Sequence, residues 1–99
     1  MSHRISPQAV GDLEDIWLYI ATESGSFEVA DRLIGAIVDR FQLLANCPYA
    51  GRQRNDDLGP GRRSFPVGEY VIVYRIESEE AWILRVVHGR RDLESLFAD

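Results

Sequence analysis

Two β-strand candidates joined by a very short turn constrain the fold of this 99-residue chain more than any other feature. Residues 69–77 and 80–88 are rich in valine and isoleucine, the β-branched residues that favour a pleated sheet. Ser78 and Glu79 are the two central residues of the turn, and so short a connection forces the strands into an antiparallel hairpin. A third strand is predicted over residues 62–67.

The hairpin also predicts which side chains share a face of the sheet. If Glu77 lies opposite Glu80, every second residue of each strand faces the same side. The neighbours predicted on one face are Arg75 and Trp82, Val73 and Leu84, and Val71 and Val86, followed by His88. Arg85 then belongs to the other face, which we expect to pack on helices.

The first half of the chain predicts two helices. Leu13, Ile16 and Ile20 recur at helical spacing after Ser6-Pro7, a helix-start signal, so the first helix is expected over residues 7–23. A second helical pattern extends from Ala30 to Ala45 and stops before Pro48. His3-Arg4-Ile5 is a candidate first strand, and residues 48–61 are expected to form a surface loop.

These elements predict a single α+β domain over residues 1–99. Its N-terminal helix hairpin packs on a small antiparallel sheet, in the order β-α-α-β-β-β, with a short C-terminal helix near residues 91–97. Both faces of the predicted sheet are largely apolar, and the helices can cover one of them. We therefore expect a partner peptide to cover the other.

Charge and cysteine content exclude several classes of function. The net charge of −5 argues against general nucleic-acid affinity, although residues 47–75 hold five arginines against three acids. One cysteine and two histidines provide neither an intrachain disulfide framework nor a metal site, so no cofactor is expected. No signal peptide or membrane-spanning run is recognisable, which predicts a cytoplasmic protein without membrane contact.

Several short motifs resemble one known group of proteins when their order and spacing are taken together. They are Ser6-Pro7 with Asp12-Leu13, Gly51-Arg52 after Pro48, Arg63-Ser64-Phe65-Pro66, Tyr70-Val71-Ile72-Val73-Tyr74-Arg75, and Ile83 to Leu93, which includes His88-Gly89-Arg90-Arg91. The chain resembles the RelE/ParE superfamily of toxin–antitoxin toxins, and more closely its ParE branch, often labelled plasmid stabilisation proteins. The resemblance covers nearly the whole chain.

The resemblance implies the same fold and a cognate antitoxin, ParD-like or similar, that forms a hetero-oligomer with the toxin. ParE-type members bind and poison DNA gyrase. They do not catalyse a reaction of their own, and they do not bind DNA directly by themselves. RelE-type members instead cut messenger RNA on the ribosome without a metal. A third alternative is a non-toxic relic that only binds an antitoxin.

The residues favour the gyrase alternative over the nuclease. Val71 stands where the RelE pattern has an arginine, and Phe97 stands where that pattern has a tyrosine. Metal-free RNA cleavage needs such groups to activate the hydroxyl and to stabilise charge in the transition state. If the chain were nevertheless RelE-like, its catalytic candidates would be Arg62, Arg63, His88 and Arg91.

The other candidate residues concern binding and stability. Arg85 is expected to form a structural ion pair with Asp12 or Asp15 of the first helix, because a buried guanidinium needs a carboxylate. Arg75 and Trp82 could form a cation–π pair or anchor the antitoxin. The full set of antitoxin- or target-binding candidates is Arg62, Arg63, Arg75, Trp82, His88, Arg90 and Arg91. Solvated surface charge is the alternative for the four arginines 62, 63, 90 and 91, and a hydrogen-bonded structural role is the alternative for His88.

Overall fold

The computed structural model describes residues 3–93, which form two helices and a five-stranded sheet. In chain order the elements are β1 (His3–Ile5), α1 (Pro7–Ser24), α2 (Phe27–Asn46), a 3-10 turn (Pro48–Ala50), β2 (Arg52–Gln53), β3 (Arg62–Val67), β4 (Tyr70–Glu77) and β5 (Glu80–His88). The predicted α+β architecture is confirmed. The helix expected near residues 91–97 lies mostly outside the described residues.

Serine side chains fix where both helices begin. The Ser6 hydroxyl accepts a hydrogen bond from the Ala9 amide at 3.0 Å, and Pro7 occupies the first helical position. The Ser26 hydroxyl accepts from the Val29 amide at 3.2 Å and begins α2. Gly25 ends α1 with φ of 70°, a left-handed conformation that glycine adopts without steric cost. The helix hairpin therefore follows from local sequence.

The strand order of the sheet is β1-β5-β4-β3-β2. β1 runs parallel to β5, whereas the other neighbouring pairs are antiparallel, so the sheet is mixed rather than wholly antiparallel as expected. Residues 48–61 were expected to be a loop, but Arg52 and Gln53 pair with Ser64 and Arg63 as a fifth strand. Two residues are too few to give an alternating pattern that sequence could reveal.

The β4–β5 hairpin contains a β-bulge that changes the predicted faces. Its turn is as predicted, since Glu77 lies opposite Glu80 and Arg75 opposite Trp82. The register then shifts between Val73 and Tyr74, so Leu84 is an extra residue. The pairs predicted beyond this point are wrong: Val73 lies opposite Arg85, Val71 opposite Val87, Ile72 opposite Val86 and Tyr70 opposite His88.

Each face of the sheet carries its own apolar cluster. On the helix side, Phe41 and Ile37 pack with Ile72, Tyr74 and Ile83, all fully buried. The opposite cluster consists of Leu58, Val73, Val87 and Leu93, with Val71 packed against it. Leu58 comes from the long β2–β3 connection, so the chain itself covers this part of the face for which a partner peptide was expected.

No helix among residues 3–93 is long and apolar enough to cross a membrane.

Candidate functional site

Four side chains form a row across the sheet on the face opposite the helices. The strand pairing places Arg4 of β1 opposite Trp82 of β5, Trp82 opposite Arg75 of β4, and Arg75 opposite Arg62 of β3. At about 4.8 Å between strands, the row is about 14 Å long. We call Arg4, Trp82, Arg75 and Arg62 the arginine–tryptophan row.

Trp82 is held between two guanidinium groups. The guanidinium carbon of Arg75 lies 4.9 Å from the centroid of the Trp82 ring, and that of Arg4 lies 5.9 Å from it. Both distances suit cation–π attraction. Glu77 accepts from Arg75 at 2.8 Å, and the carboxylate of Glu80 lies 3.5 Å from Arg4. The row is thus a half-exposed cationic and aromatic surface with acids along the side that faces the β4–β5 turn.

Arg63 lies on the other face of β3 from Arg62. One of its terminal nitrogens donates to the backbone carbonyls of Gly51 at 2.9 Å and Tyr49 at 3.2 Å, and its guanidinium covers the Tyr49 ring at 5.3 Å. Tyr74 helps to position the same segment, because its hydroxyl donates to the Pro48 carbonyl and accepts from the Gly51 amide. Through these contacts Arg63 holds the segment from Tyr49 to Gly51 against β3.

His88 lies at the far end of β5, on the helix side. Its ring meets Tyr70 edge-on with centroids 5.5 Å apart, and its Nε2 lies 3.1 Å from a carboxylate oxygen of Glu69. Its Nδ1 accepts hydrogen bonds from the backbone amides of Arg90 and Arg91 at 3.2 and 3.3 Å. Because Nδ1 is an acceptor, the neutral ring carries its proton on Nε2, and this N–H donates a hydrogen bond to Glu69.

A cleft next to His88 separates α1 from the end of β5. Arg91 lies over the Tyr19 ring, with 5.4 Å between the guanidinium carbon and the ring centroid. Tyr70 lines the cleft, and burial raises the pKa of its hydroxyl while the charge of Arg91 partly opposes that rise. The side chain of Arg90 is exposed.

Arg85 and Asp12 join β5 to α1. Two guanidinium nitrogens of Arg85 donate to the two carboxylate oxygens of Asp12 at 2.7 and 2.8 Å. Asp12 also accepts from the backbone amide of Val86 at 2.9 Å. The hydrogen bond to Asp12 raises the pKa of Arg85, although burial acts in the opposite direction. The sequence predicted a structural ion pair for Arg85 with Asp12 or Asp15, and the bidentate contact joins Arg85 to Asp12.

The four candidates for RNA cleavage do not form one group, because His88 and Arg91 line the same cleft but Arg62 and Arg63 lie elsewhere. Arg62 lies opposite Arg75 at one end of β4, whereas His88 lies opposite Tyr70 at the other end. Five residues of extended strand separate these ends by about 17 Å. Arg63 and Arg62 face opposite sides of the sheet. Val71, where the RelE pattern has an arginine, packs against the apolar cluster of Leu58 and Leu93.

Sequence reasoning missed two members of the site. Arg4 was placed on a candidate strand, but nothing in the sequence indicated that this strand pairs in parallel with β5 beside Trp82. Tyr19, which lies in the cleft beside His88, was not predicted as a site residue, because an exposed aromatic residue on a helix has no distinctive pattern. Within residues 3–93, no group of three or more His, Cys, Asp or Glu side chains could hold a metal ion.

Comparison with known families decides what kind of protein this is. The model of the family described as "ParE toxin of type II toxin-antitoxin system, parDE" matches residues 4–93. The chain belongs to the ParE toxin family. It is 35% identical over 83 residues to Toxin ParE3 of Caulobacter vibrioides, covering 84% of this chain and 81% of that protein. It is 33% identical over 88 residues to Toxin ParE1 of the same organism, covering 87% and 86%.

Solved structures share the fold of this ParE family member. A chain of the chromosomal ParDE toxin–antitoxin system from P. aeruginosa superposes with a TM-score of 0.77 at 24% identity, covering 89% of this chain and 95% of that one. A chain of the RelBE2 toxin–antitoxin complex from Mycobacterium tuberculosis gives a TM-score of 0.61 at 25% identity, covering 88% and 95%. The resemblance to toxin–antitoxin toxins, with the fold it implied, is confirmed.

Proposed function

We propose that this type II toxin inhibits DNA gyrase by binding it, and that a cognate ParD-like antitoxin neutralises it in a hetero-oligomer. The observation that carries the proposal is the match to the ParE toxin family over residues 4–93. The RelBE2 relative was solved as a toxin–antitoxin complex, which supports an antitoxin partner for this chain as well.

The arrangement of charged side chains supports binding over RNA cleavage. Cleavage through the 2′-hydroxyl needs an activating group, a cation and a proton donor around one phosphate. Arg62 and His88 lie at opposite ends of β4, and the Nδ1 of His88 is occupied by two backbone amides. Val71 adds an apolar side chain at the position where the nuclease pattern has a cation.

The proposal is tested with the purified chain in two parallel assays. Gyrase supercoiling and accumulation of the gyrase–DNA cleavage complex are measured, with topoisomerase I relaxation as a control for general effects on DNA. Cell-free translation with mapping of messenger RNA ends is run on the same preparation. We expect loss of supercoiling and more cleavage complex, with unchanged topoisomerase I activity and intact messenger RNA.

Other results would support the alternatives. Messenger RNA cut at codon positions, without an effect on gyrase, would overturn the proposal and support the nuclease. Substitution of Arg62, Arg63, His88 and Arg91 would then be the next step. No effect in either assay would support a relic that only binds an antitoxin.

A further inference from the structure

An apolar notch adjoins one end of the arginine–tryptophan row. Ile5, Pro7 and Leu84 line it together with Trp82 and the stem of Arg4. Leu84 is the extra residue of the β-bulge in β5 and shares the face of Trp82. Cationic groups and an apolar depression therefore lie side by side on one surface.

The ion pairs within the row are exchangeable. The side chains of Arg75 and Glu77 are 41% and 53% exposed, and that of Arg4 is 65% exposed. Ion pairs this exposed contribute little, so a carboxylate of a partner can replace Glu77 at Arg75 without a large penalty. The Nε of Arg75 is buried and has no hydrogen-bond partner among the described residues, so this guanidinium is not fully satisfied.

The part of this face around Val73 and Val87 is closed. Leu58 is 3% exposed and Leu93 is 8% exposed, and they pack against Val73 and Val87. Arg54 supports the closing segment by hydrogen bonds to Asp57 and, at 3.0 Å, to the Ser64 hydroxyl. The row and the notch are thus bounded on one side by the closed cluster of Leu58 and Leu93.

The charges favour a peptide over a nucleic acid. A nucleic acid would bring a continuous line of phosphates past Glu77, Glu79 and Glu80 at the hairpin end, in a chain whose net charge is −5. A peptide can place its carboxylates on the arginines and uncharged residues beside those glutamates. It can also supply the apolar side chain that fits the notch.

We propose that the arginine–tryptophan row and the adjoining notch bind an acidic segment of the antitoxin, through its carboxylates and one apolar anchor residue. The inference rests on the proposed function for the identity of the partner. Trp82 gives the anchor an apolar wall, and the flanking guanidinium groups, ordered against its ring, receive the carboxylates.

The two tryptophans allow a direct test by nuclear magnetic resonance. Trp82 lies in the site, whereas the indole nitrogen of Trp17 donates to Asp31 at the helix hairpin, so its signal is an internal control. The full chain, labelled with nitrogen-15, is titrated with a synthetic peptide that alternates Asp or Glu with Leu. About five residues of extended chain span the row at ~3.3 Å per residue, so a peptide of about twelve residues reaches past both the row and the notch. A peptide with Asn and Gln in place of the acids is the matched ligand.

We expect the acidic peptide to move the Trp82 indole signal and to leave that of Trp17 in place, with weaker binding as salt rises. Arg75→Gln should weaken binding about tenfold, whereas Arg40→Gln on the exposed surface of α2 should leave it nearly unchanged. The amide signals of each variant, compared with those of the parent, establish that the variant is folded.

Several results would overturn the inference. One is no movement of the Trp82 signal up to about 1 mM peptide, which is the weak end of specific binding. Equal binding of the amide peptide, or equal weakening by Arg40→Gln, would do the same. A response of Trp82 to single-stranded oligothymidylate but not to the peptide would indicate a nucleic-acid surface instead. The gyrase assay contains no peptide, so its outcome separates failure of this site from failure of the proposed function.

Discussion

A pair of side chains, Arg85 of β5 and Asp12 of α1, connects the sheet to the first helix. Their bidentate contact lies where β1 has ended and β5 has no further strand beside it. Asp12 accepts the backbone amide of Val86 and Ser6 donates to the Leu84 carbonyl at 2.7 Å, so side chains take over the pairing that a strand would provide. The same contacts keep this edge from pairing with another chain.

Removal of Arg85 should therefore destabilise the fold. Arg85→Ala leaves the Asp12 carboxylate, whose side chain is 13% exposed, without its cation. We expect a loss of about 2 kcal/mol in the free energy of unfolding, or roughly 10 °C in melting temperature for a domain of this size. Thermal denaturation followed by circular dichroism measures it, and Arg40→Ala on the exposed surface of α2 is the control.

A double-mutant cycle separates the ion pair from other effects of the substitution. Asp12→Asn keeps an oxygen that can accept from Val86 but removes the charge, so Arg85→Ala should cost less in that background. If Arg85→Ala melts like the parent protein, or costs the same with and without the Asp12 charge, the pair does not stabilise the fold.

At the scale of the elements, regular repetition was predictable and single irregularities were not. The ends of β3 and β5 and the start of α1 follow from β-branched runs, a two-residue turn and Ser6-Pro7, which are local signals. The bulge at Leu84 is one residue without a local signal, yet it reversed the predicted faces of Val86, Val87 and His88. The parallel pairing of β1, which completes the arginine–tryptophan row, depends on tertiary packing.

The β4–β5 turn is strained by its residue types. Ser78 and Glu79 have φ of 52° and 63°, and a turn with both central residues in the left-handed region favours Asn-Gly. Replacing both residues (Ser78→Asn with Glu79→Gly) should stabilise the protein by about 1 kcal/mol, because each left-handed conformation is costly for ordinary residues. The melting temperature should rise by about 5 °C.

The control for this turn removes charge without changing the backbone preference. Glu79→Gln relieves repulsion among Glu77, Glu79 and Glu80 but retains a side chain that disfavours positive φ. We expect it to recover only a small part of the stabilisation. If it matches the double substitution, the gain comes from electrostatics and not from relief of backbone strain.

For the whole molecule, the chain's own coverage of the sheet decides how much surface is left for a partner. The helices cover one face, and the β2–β3 connection covers part of the other through Leu58. The sequence indicated two apolar faces but not this cover, because the connection is rich in Gly, Pro, Asp and Arg and resembles an open loop. A partner therefore does not need to cover the part around Val73 and Val87, whereas the cationic and aromatic row remains open to it.

Leu58→Ala should expose the covered face. Leu58 is 3% exposed and packs with Val73, Val87 and Leu93, so its truncation leaves a cavity and is expected to cost about 2–4 kcal/mol in the free energy of unfolding. We also expect increased fluorescence of a dye that binds apolar surface, measured below the melting transition. Leu18→Ala is the matched control, because that leucine is 61% exposed and its truncation should change stability by less than about 0.5 kcal/mol. If Leu58→Ala neither lowers stability nor binds more dye than Leu18→Ala, the connection does not close the face, and the surface available to the antitoxin extends beyond the row to Val73 and Val87.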